Sequence, residues 1–468
     1  MTTKTLPPGP PGKGLGGNLT EFRRDKLAFL SRCAQEHGDV STFRLGNKQI
    51  FLVLHPNDIE KVLVSHNRNF EKHYITQLLR PTLGNGLLIS EGTFWLRQRR
   101  LMQPAFQKQR IDSYAPLIVE HTQRLTDKWQ HGQSFDLHSE MMRLALNIVA
   151  QALLDVDVST QFQEVEQALD VLMSDFSYRF ESLLPWPLWV PTPRNLRMRS
   201  ARQTLRRIID GIIQTRRHSQ REHVDLLSLL LSARDEQNGQ GMNDLQLRDE
   251  VMTIFLAGHE FSINALSWTW LLLMQHPQVE MQLQAELQRV LQGQAPTLAD
   301  VPHLKFTTAV VQEAMRLYPP VFTFGRKIVQ ACELGGYLLP VGGTVLLSQW
   351  VVHRDARWFA DPQEFHPQRW LQPEIDSLPK YAYFPFGGGP RVCIGNTFAM
   401  LEATLALAYM ADHFHFELQS DKPVVAWPSI TLRPRHGIPV RVMKRTGEKA
   451  AIKTSAAETS PPIHSDMN

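Results

Sequence analysis

Two short segments hold the residue types best suited to chemistry. The first runs Phe384-Pro385-Phe386-Gly387-Gly388-Gly389-Pro390-Arg391-Val392-Cys393-Ile394-Gly395-Asn396. Its glycines let the backbone approach a flat ligand closely. Arg391 supplies a cation, and Cys393 stands just before a helix expected to start near Asn396. A thiolate there is favoured by the positive helix end and its free N–H groups. The rival reading is a nucleotide loop, but the Gly-Lys-Ser/Thr ending of a phosphate loop is missing. The second segment, Leu256-Ala257-Gly258-His259-Glu260-Phe261-Ser262-Ile263-Asn264, reads as a helix with a small-residue dent at Ala257-Gly258.

Two further pairs have helical spacing. Glu313 and Arg316, three apart, share one helix face and can pair. Trp95 and Arg99, four apart, present an indole donor and a guanidinium on one face. Taken alone, either is an ordinary surface pair.

These residues need a scaffold, and the chain has the means to build one. Of its 468 residues, 43% are hydrophobic and 21% charged, ordinary values for a globular protein with a sizeable core. A net charge of +4 without a basic low-complexity run gives no case for nucleic acid. Three cysteines, Cys33, Cys332 and Cys393, are odd in number and far apart, which fits a reducing, cytoplasmic setting rather than a disulfide framework. No apolar run has signal-peptide or membrane-span length, so no transmembrane anchor is expected.

Residues 1–20 read as a Pro/Gly-rich leader. Val40 to Leu54 has hairpin character with Gly46-Asn47 at the turn. Helical patterns then dominate, with Gln107 to Leu154 and Thr160 to Phe180 amphipathic. Leu184 to Pro193 has four prolines and two tryptophans, either a loop packed on its own domain or a lipophilic entrance lip. Arg194 to Arg221 contains nine arginines and reads as a solvated basic face or a site for an anionic surface. Glu250 to Gln275 is apolar all round, as a helix through the protein's middle would be. Tyr337 to Trp350 returns to strand character. Residues 444–468 are polar, Ala/Ser/Thr/Pro-rich, and expected to be a disordered tail. The organisation is one mainly α domain, residues 21–443, with small β-sheets.

Phe386, Gly389, Arg391, Cys393 and Gly395 match, at every position, the Phe-x-x-Gly-x-Arg-x-Cys-x-Gly loop of the cytochrome P450 family. The resemblance spans roughly Leu6 to Val442, and the sequence looks nearest to bacterial members. It implies the P450 fold and haem b, with Cys393 as the metal ligand and Phe386, Arg391 and Gly395 lining the cofactor. The electron-rich sulfur then favours cleavage of the dioxygen bond. Trp95, Arg99 and Arg326 resemble propionate contacts, with His73 a less secure addition. Glu313 and Arg316 resemble a buried structural element joined by a downstream arginine, here Arg369.

Ala257-Gly258 and Glu260 match the family's distal-helix pattern, but the next residue is usually threonine, whose hydroxyl relays protons. Phe261 offers no hydrogen bond. One step along a helix turns a side chain by about 100°, so Ser262 replaces it only if a π-bulge shifts the register. Otherwise a water held at Glu260 or the Ala257 carbonyl, or the substrate's own hydroxyl, does so.

The resemblance implies a haem-thiolate monooxygenase that hydroxylates a lipophilic substrate, terpenoid or fatty-acid-like, with dioxygen. Family-equivalent pocket segments contribute Leu87, Leu88, Phe176, Phe180, Val321, Phe322 and Ile430, with Arg80 as a possible anchor for a carboxylate. No flavin or iron–sulfur segment follows Val442, so electrons are expected from a separate ferredoxin or flavodoxin. Arg97, Arg100, Lys108 and Arg110 form a basic face suited to docking it. The alternatives are an isomerase, dehydratase or peroxide-using enzyme on the same fold, or a non-catalytic haem-binding protein.

Overall fold

A computed structural model describes residues 6–156, 161–182, 185–219, 225–234 and 239–445. The expected tail lies outside them apart from Lys444 and Arg445, and so do Leu184 and Arg221. Within the described residues the chain is mainly helical, with small sheets.

The hairpin forms as expected, from β1 (Val40–Leu45) and β2 (Lys48–Val53), with Gly46 at positive φ between them. Strands β3 (Phe70–Lys72), β4 (Phe324–Ile328) and β5 (Thr344–Leu347) complete a five-stranded sheet of order β1-β2-β5-β4-β3. The β2–β5 pair is parallel; the other neighbours are antiparallel. The leader lies along the sheet: Pro8 accepts a hydrogen bond from Thr42 at 2.8 Å, and Asn18 donates to Arg44 at 2.7 Å. Helices α1 (Leu19–Arg24) and α2 (Lys26–His37) follow, packing Phe22 and Phe29 against Phe43.

The larger core is helical. Helices α3 (Gly92–Met102), α4 (Leu137–Leu154), α5 (Phe162–Glu181), α6 (Pro193–His218), α7 (Asp244–Gln275), α8 (Lys305–Leu317) and α9 (Asn396–His413) position the site. Helix α7 packs on α4, α6, α8 and α9, which explains why it is apolar on every side. Its start is fixed by a capping box between Asn243 and Gln246, and it stops before Pro277. A short hairpin of β6 (Ala426–Pro428) and β7 (Leu432–Pro434) closes against it.

The described part of the loop before α6 is hydrogen-bonded to that helix, with its tryptophans outward. Asn195 donates to Pro187 and Val190, both at 2.8 Å, and Arg199 donates to Leu188 at 2.8 Å and Trp189 at 3.0 Å. Trp186 and Trp189 remain 60% and 77% exposed. No described helix is long and apolar enough to cross a membrane.

Candidate functional site

Cys393 lies where the loop from Phe384 turns into α9, which begins at Asn396 as expected. The loop is tight: Gly387 and Gly389 have φ of 70° and 66°. A Cβ on Gly389 would sit 1.8 Å from the Leu63 carbonyl oxygen. The Cys393 N–H donates to the Phe386 carbonyl at 3.0 Å. Burial pushes the thiol pKa up, against the pull of the Gly395 N–H and the Arg99 guanidinium. The helix end thus favours a thiolate, as expected, while desolvation opposes it. Despite that burial Cys393 keeps accessible surface, as does Ala257 in the otherwise buried middle of α7. A side chain surrounded by protein yet accessible borders an internal hollow.

Cations gather around the loop. Arg99 donates to the Val392 carbonyl at 3.0 Å. Arg391 lies 4.2 Å over the Trp95 ring, donates to Ser90 at 3.2 Å and pairs with Glu91. Lys72 and Arg326 stand opposite each other on β3 and β4, a like-charge pairing that sheets disfavour. Burial lowers the Arg326 pKa to about 10, with Arg391 adding to the effect. Burial also brings Lys72 well below the lysine range, helped by Arg391 and Arg326. Glu91 is the carboxylate bonded within this group, and Lys72 Nζ donates to the Leu87 and Leu88 carbonyls; Arg326 and Arg391 thus share one carboxylate, and an anion between them relieves the repulsion. A cofactor bearing two carboxylates and a metal that takes a thiolate fits these donors. His73 is different: buried, with its pKa lowered to about 3, it is neutral and accepts from the Ile75 N–H at 3.3 Å.

The expected buried element assembles in full. Arg316 Nε and Nη2 donate to Glu313 at 2.9 and 2.8 Å, and Arg369 Nε at 3.0 Å. Trp370 Nε1 adds a bond at 2.8 Å and the His366 N–H one at 3.0 Å. Burial alone would raise the Glu313 pKa, but Arg316 and Arg369 bring it below the usual value.

The distal helix turns Ser262 away from the Phe261 face, as regular helix geometry predicts. Helix α7 is regular through Ser262, with no π-turn, so the register does not shift. Ser262 Oγ instead donates to Glu402 Oε2 of α9 at 2.5 Å, and burial raises the Glu402 pKa to about 8. Glu260 is bonded to the closing hairpin. Arg433 holds both its oxygens, and Thr431 Oγ1 donates to one at 2.8 Å. Phe261 stacks on Phe386, with ring centroids 4.5 Å apart.

Of the expected pocket residues, Leu87 and Leu88 lie on a loop docked to α7. Leu87 N–H donates to Glu250 at 2.8 Å, and Asn85 N–H to Asp249 at 2.7 Å. Val321 and Ile430 are half-buried. Phe176 is buried, and Phe322 packs with Leu27 and Leu432. Phe180 is half-buried, its ring meeting Phe22 of α1 at 5.8 Å and Phe176 at 6.3 Å. Arg97, expected on the docking face, donates to the Gln240 and Gly241 carbonyls at 3.0 and 3.1 Å.

Sequence reasoning missed Lys72, Glu91, Glu402 and Arg433. Two of them left a trace. Glu402 is a lone acid within a run of alanine, leucine and methionine, and Thr431 and Arg433 are two apart, on one strand face.

A family model described as Cytochrome P450 matches residues 7–438. The chain is 37% identical to a protein named cyclooctatin synthase from Streptomyces melanosporofaciens over 92% of each sequence. It is 34% identical to cyclooctat-9-en-7-ol 5-monooxygenase of the same organism, over 88% of this chain and 89% of the relative. Pentalenene oxygenase of Streptomyces avermitilis is 33% identical, over 92% and 95%.

Proposed function

The chain belongs to the cytochrome P450 family, and from that premise we propose that it hydroxylates a terpenoid, with Cys393 as the haem ligand. The enzyme is a P450 monooxygenase and its cofactor is haem. When bound, haem supplies dioxygen activation and hydroxyl transfer to carbon. The carrying observation is the accessible, enclosed Cys393 beside Arg326 and Arg391, two buried cations that share one carboxylate.

Each group has a task in this reading. Arg326, Arg391, Lys72 and Trp95 hold the carboxylates, and Arg99 steadies the loop through Val392. Ala257 and Gly258 leave room beside the metal. Leu87, Leu88, Val321 and Ile430 exclude water and orient an apolar skeleton. Electrons come from a separate acidic ferredoxin or flavodoxin. It docks near Arg100 and Arg110, in the stretch after Trp95 that also brings Phe106 beside Gly395. A cytoplasmic location accords with three free cysteines.

Proton delivery separates two readings. Ser262 and Glu260 are both engaged and Phe261 has no donor, so the substrate's own hydroxyl takes over the missing threonine's part. One relative's printed name is of an enzyme acting on an alcohol, which supports an already hydroxylated terpenoid here. The same engaged side chains favour, as the second reading, a peroxide-using or isomerising enzyme. A panel of terpene hydrocarbons, terpene alcohols and fatty acids decides, with products identified by mass spectrometry. Coupled turnover of an alcohol with dioxygen, reductase and NAD(P)H is expected. Product formed only with peroxide sinks the monooxygenase mechanism.

A further inference from the structure

Two neighbouring acids of α7 hold the loop that carries Leu87 and Leu88. The Asn85 N–H donates to Asp249 Oδ2 at 2.7 Å, and the Leu87 N–H donates to Glu250 Oε2 at 2.8 Å. Glycines bring this loop flush with the helix. A Cβ on Gly84 would sit 2.0 Å from the Asp249 carboxylate. One on Gly86 would sit 2.1 Å from Thr253 Oγ1 and 2.6 Å from the Asp249 carbonyl oxygen. Nothing fits between loop and helix here, and Ala257 with its hollow lies about 10 Å further along α7. The joint therefore stands whether or not that hollow is filled. Glu250 is 1% exposed, and burial raises its pKa to about 8 against the pull of the Leu87 N–H. At neutral pH it is mostly uncharged and accepts as an amide oxygen would. Leu88, next after the tether, keeps 40% of its surface, so its place is fixed by backbone bonds more than by its own packing.

We propose that Asp249 and Glu250 are positioning residues for Leu87 and Leu88, and that this joint sets how closely the apolar wall stands to the reacting centre. The wall in turn decides which carbon of the substrate is presented. A wall on an irregular loop has no ladder of backbone bonds to locate it, so a fixed acceptor for its N–H groups supplies the constraint. The two acids leave α7 about 100° apart and grip the loop at two separate N–H groups. Pivoting about one bond therefore breaks the other. A displacement of about 1 Å is enough to change reaction efficiency by orders of magnitude, so the joint acts on chemistry from a distance. This inference rests on the reading of Leu87 and Leu88 as part of the substrate wall.

The test uses the haem-loaded, full-length protein and two probes that bind haem iron through a nitrogen, imidazole and 4-phenylimidazole. Dissociation constants are read from the shift in haem absorption. Imidazole reports on loading and access to the iron, while the phenyl ring of the larger probe also meets the wall. Two variants displace the loop independently. Glu250→Leu removes an acceptor, and Gly86→Ala keeps both acids but pushes the loop off α7. In each, 4-phenylimidazole should bind about fivefold or more weaker, with imidazole changed by less than about twofold. Glu250→Gln and Asp249→Asn keep the acceptors and should match wild type with both probes. Equal weakening of the two probes, unchanged binding in both displaced variants, or a loss in Glu250→Gln as large as in Glu250→Leu overturns the joint. Where Glu250→Leu does not take up haem, Gly86→Ala decides. Leu88→Ala leaves the joint intact and separates the failures. If it leaves 4-phenylimidazole binding unchanged, the wall reading itself is wrong.

Discussion

Ser262 Oγ donates to Glu402 Oε2 across 2.5 Å, joining α7 to α9 through a carboxyl group held protonated by burial, with its pKa raised to about 8 from 4.5. The folded chain therefore binds a proton that the unfolded chain releases. Stability from this group is complete below about pH 4.5 and is lost as pH rises through about 8. Glu402→Gln keeps a neutral partner for Ser262 and removes the titration. Its midpoint urea concentration, relative to wild type, should climb between pH 5 and 9, toward a difference on the order of 4 kcal/mol. A pH-independent difference means Glu402 ionises normally.

Phe261→Thr puts a hydroxyl back where α7 has none. With the preferred substrate, product formed per NAD(P)H consumed should change by less than about twofold if the substrate hydroxyl already relays the proton. With a substrate analogue lacking that hydroxyl, coupling should rise by about tenfold or more. Equal gains with both substrates would remove the substrate hydroxyl from the mechanism.

Glu313 is buried with two arginines and an indole around it. Arg369→Ala leaves a carboxylate with fewer partners and should destabilise the protein by about 3–5 kcal/mol. Trp370→Phe removes one charged hydrogen bond and should cost about 1.5–3 kcal/mol. Denaturation of both variants checks the order. A larger loss for Trp370→Phe would mean that ring packing, not charge satisfaction, dominates there.

Legibility followed distance along the chain. The Gly46-Asn47 hairpin, the apolar α7 and the Cys393 loop were readable because each is a local pattern with a backbone reason. Arg369 and Glu313 were paired in advance only through a family resemblance, since nothing local joins them. The charge pairing of Lys72 with Arg326 was not readable. It arises from strand register between segments far apart in sequence. The direction of Ser262 followed from helix geometry alone, but its partner Glu402 did not, because helix packing chose it. Likewise Glu260 looked like a free distal acid until the closing hairpin brought Arg433 to it.

That hairpin contact gives a prediction with two signs. Arg433 and Glu260 are both buried, and burial lowers the arginine's pKa to about 10. Arg433→Leu strands Glu260 beside Thr431 and should destabilise the protein by about 3–5 kcal/mol. Adding Glu260→Leu removes the stranded charge, and the double variant should recover most of that loss. If hydroxylation also survives in the double variant, Glu260 serves to anchor the hairpin and takes no part in proton transfer. Activity lost in the refolded, stable double variant would return Glu260 to the proton path, with Arg433 as the group that must release it.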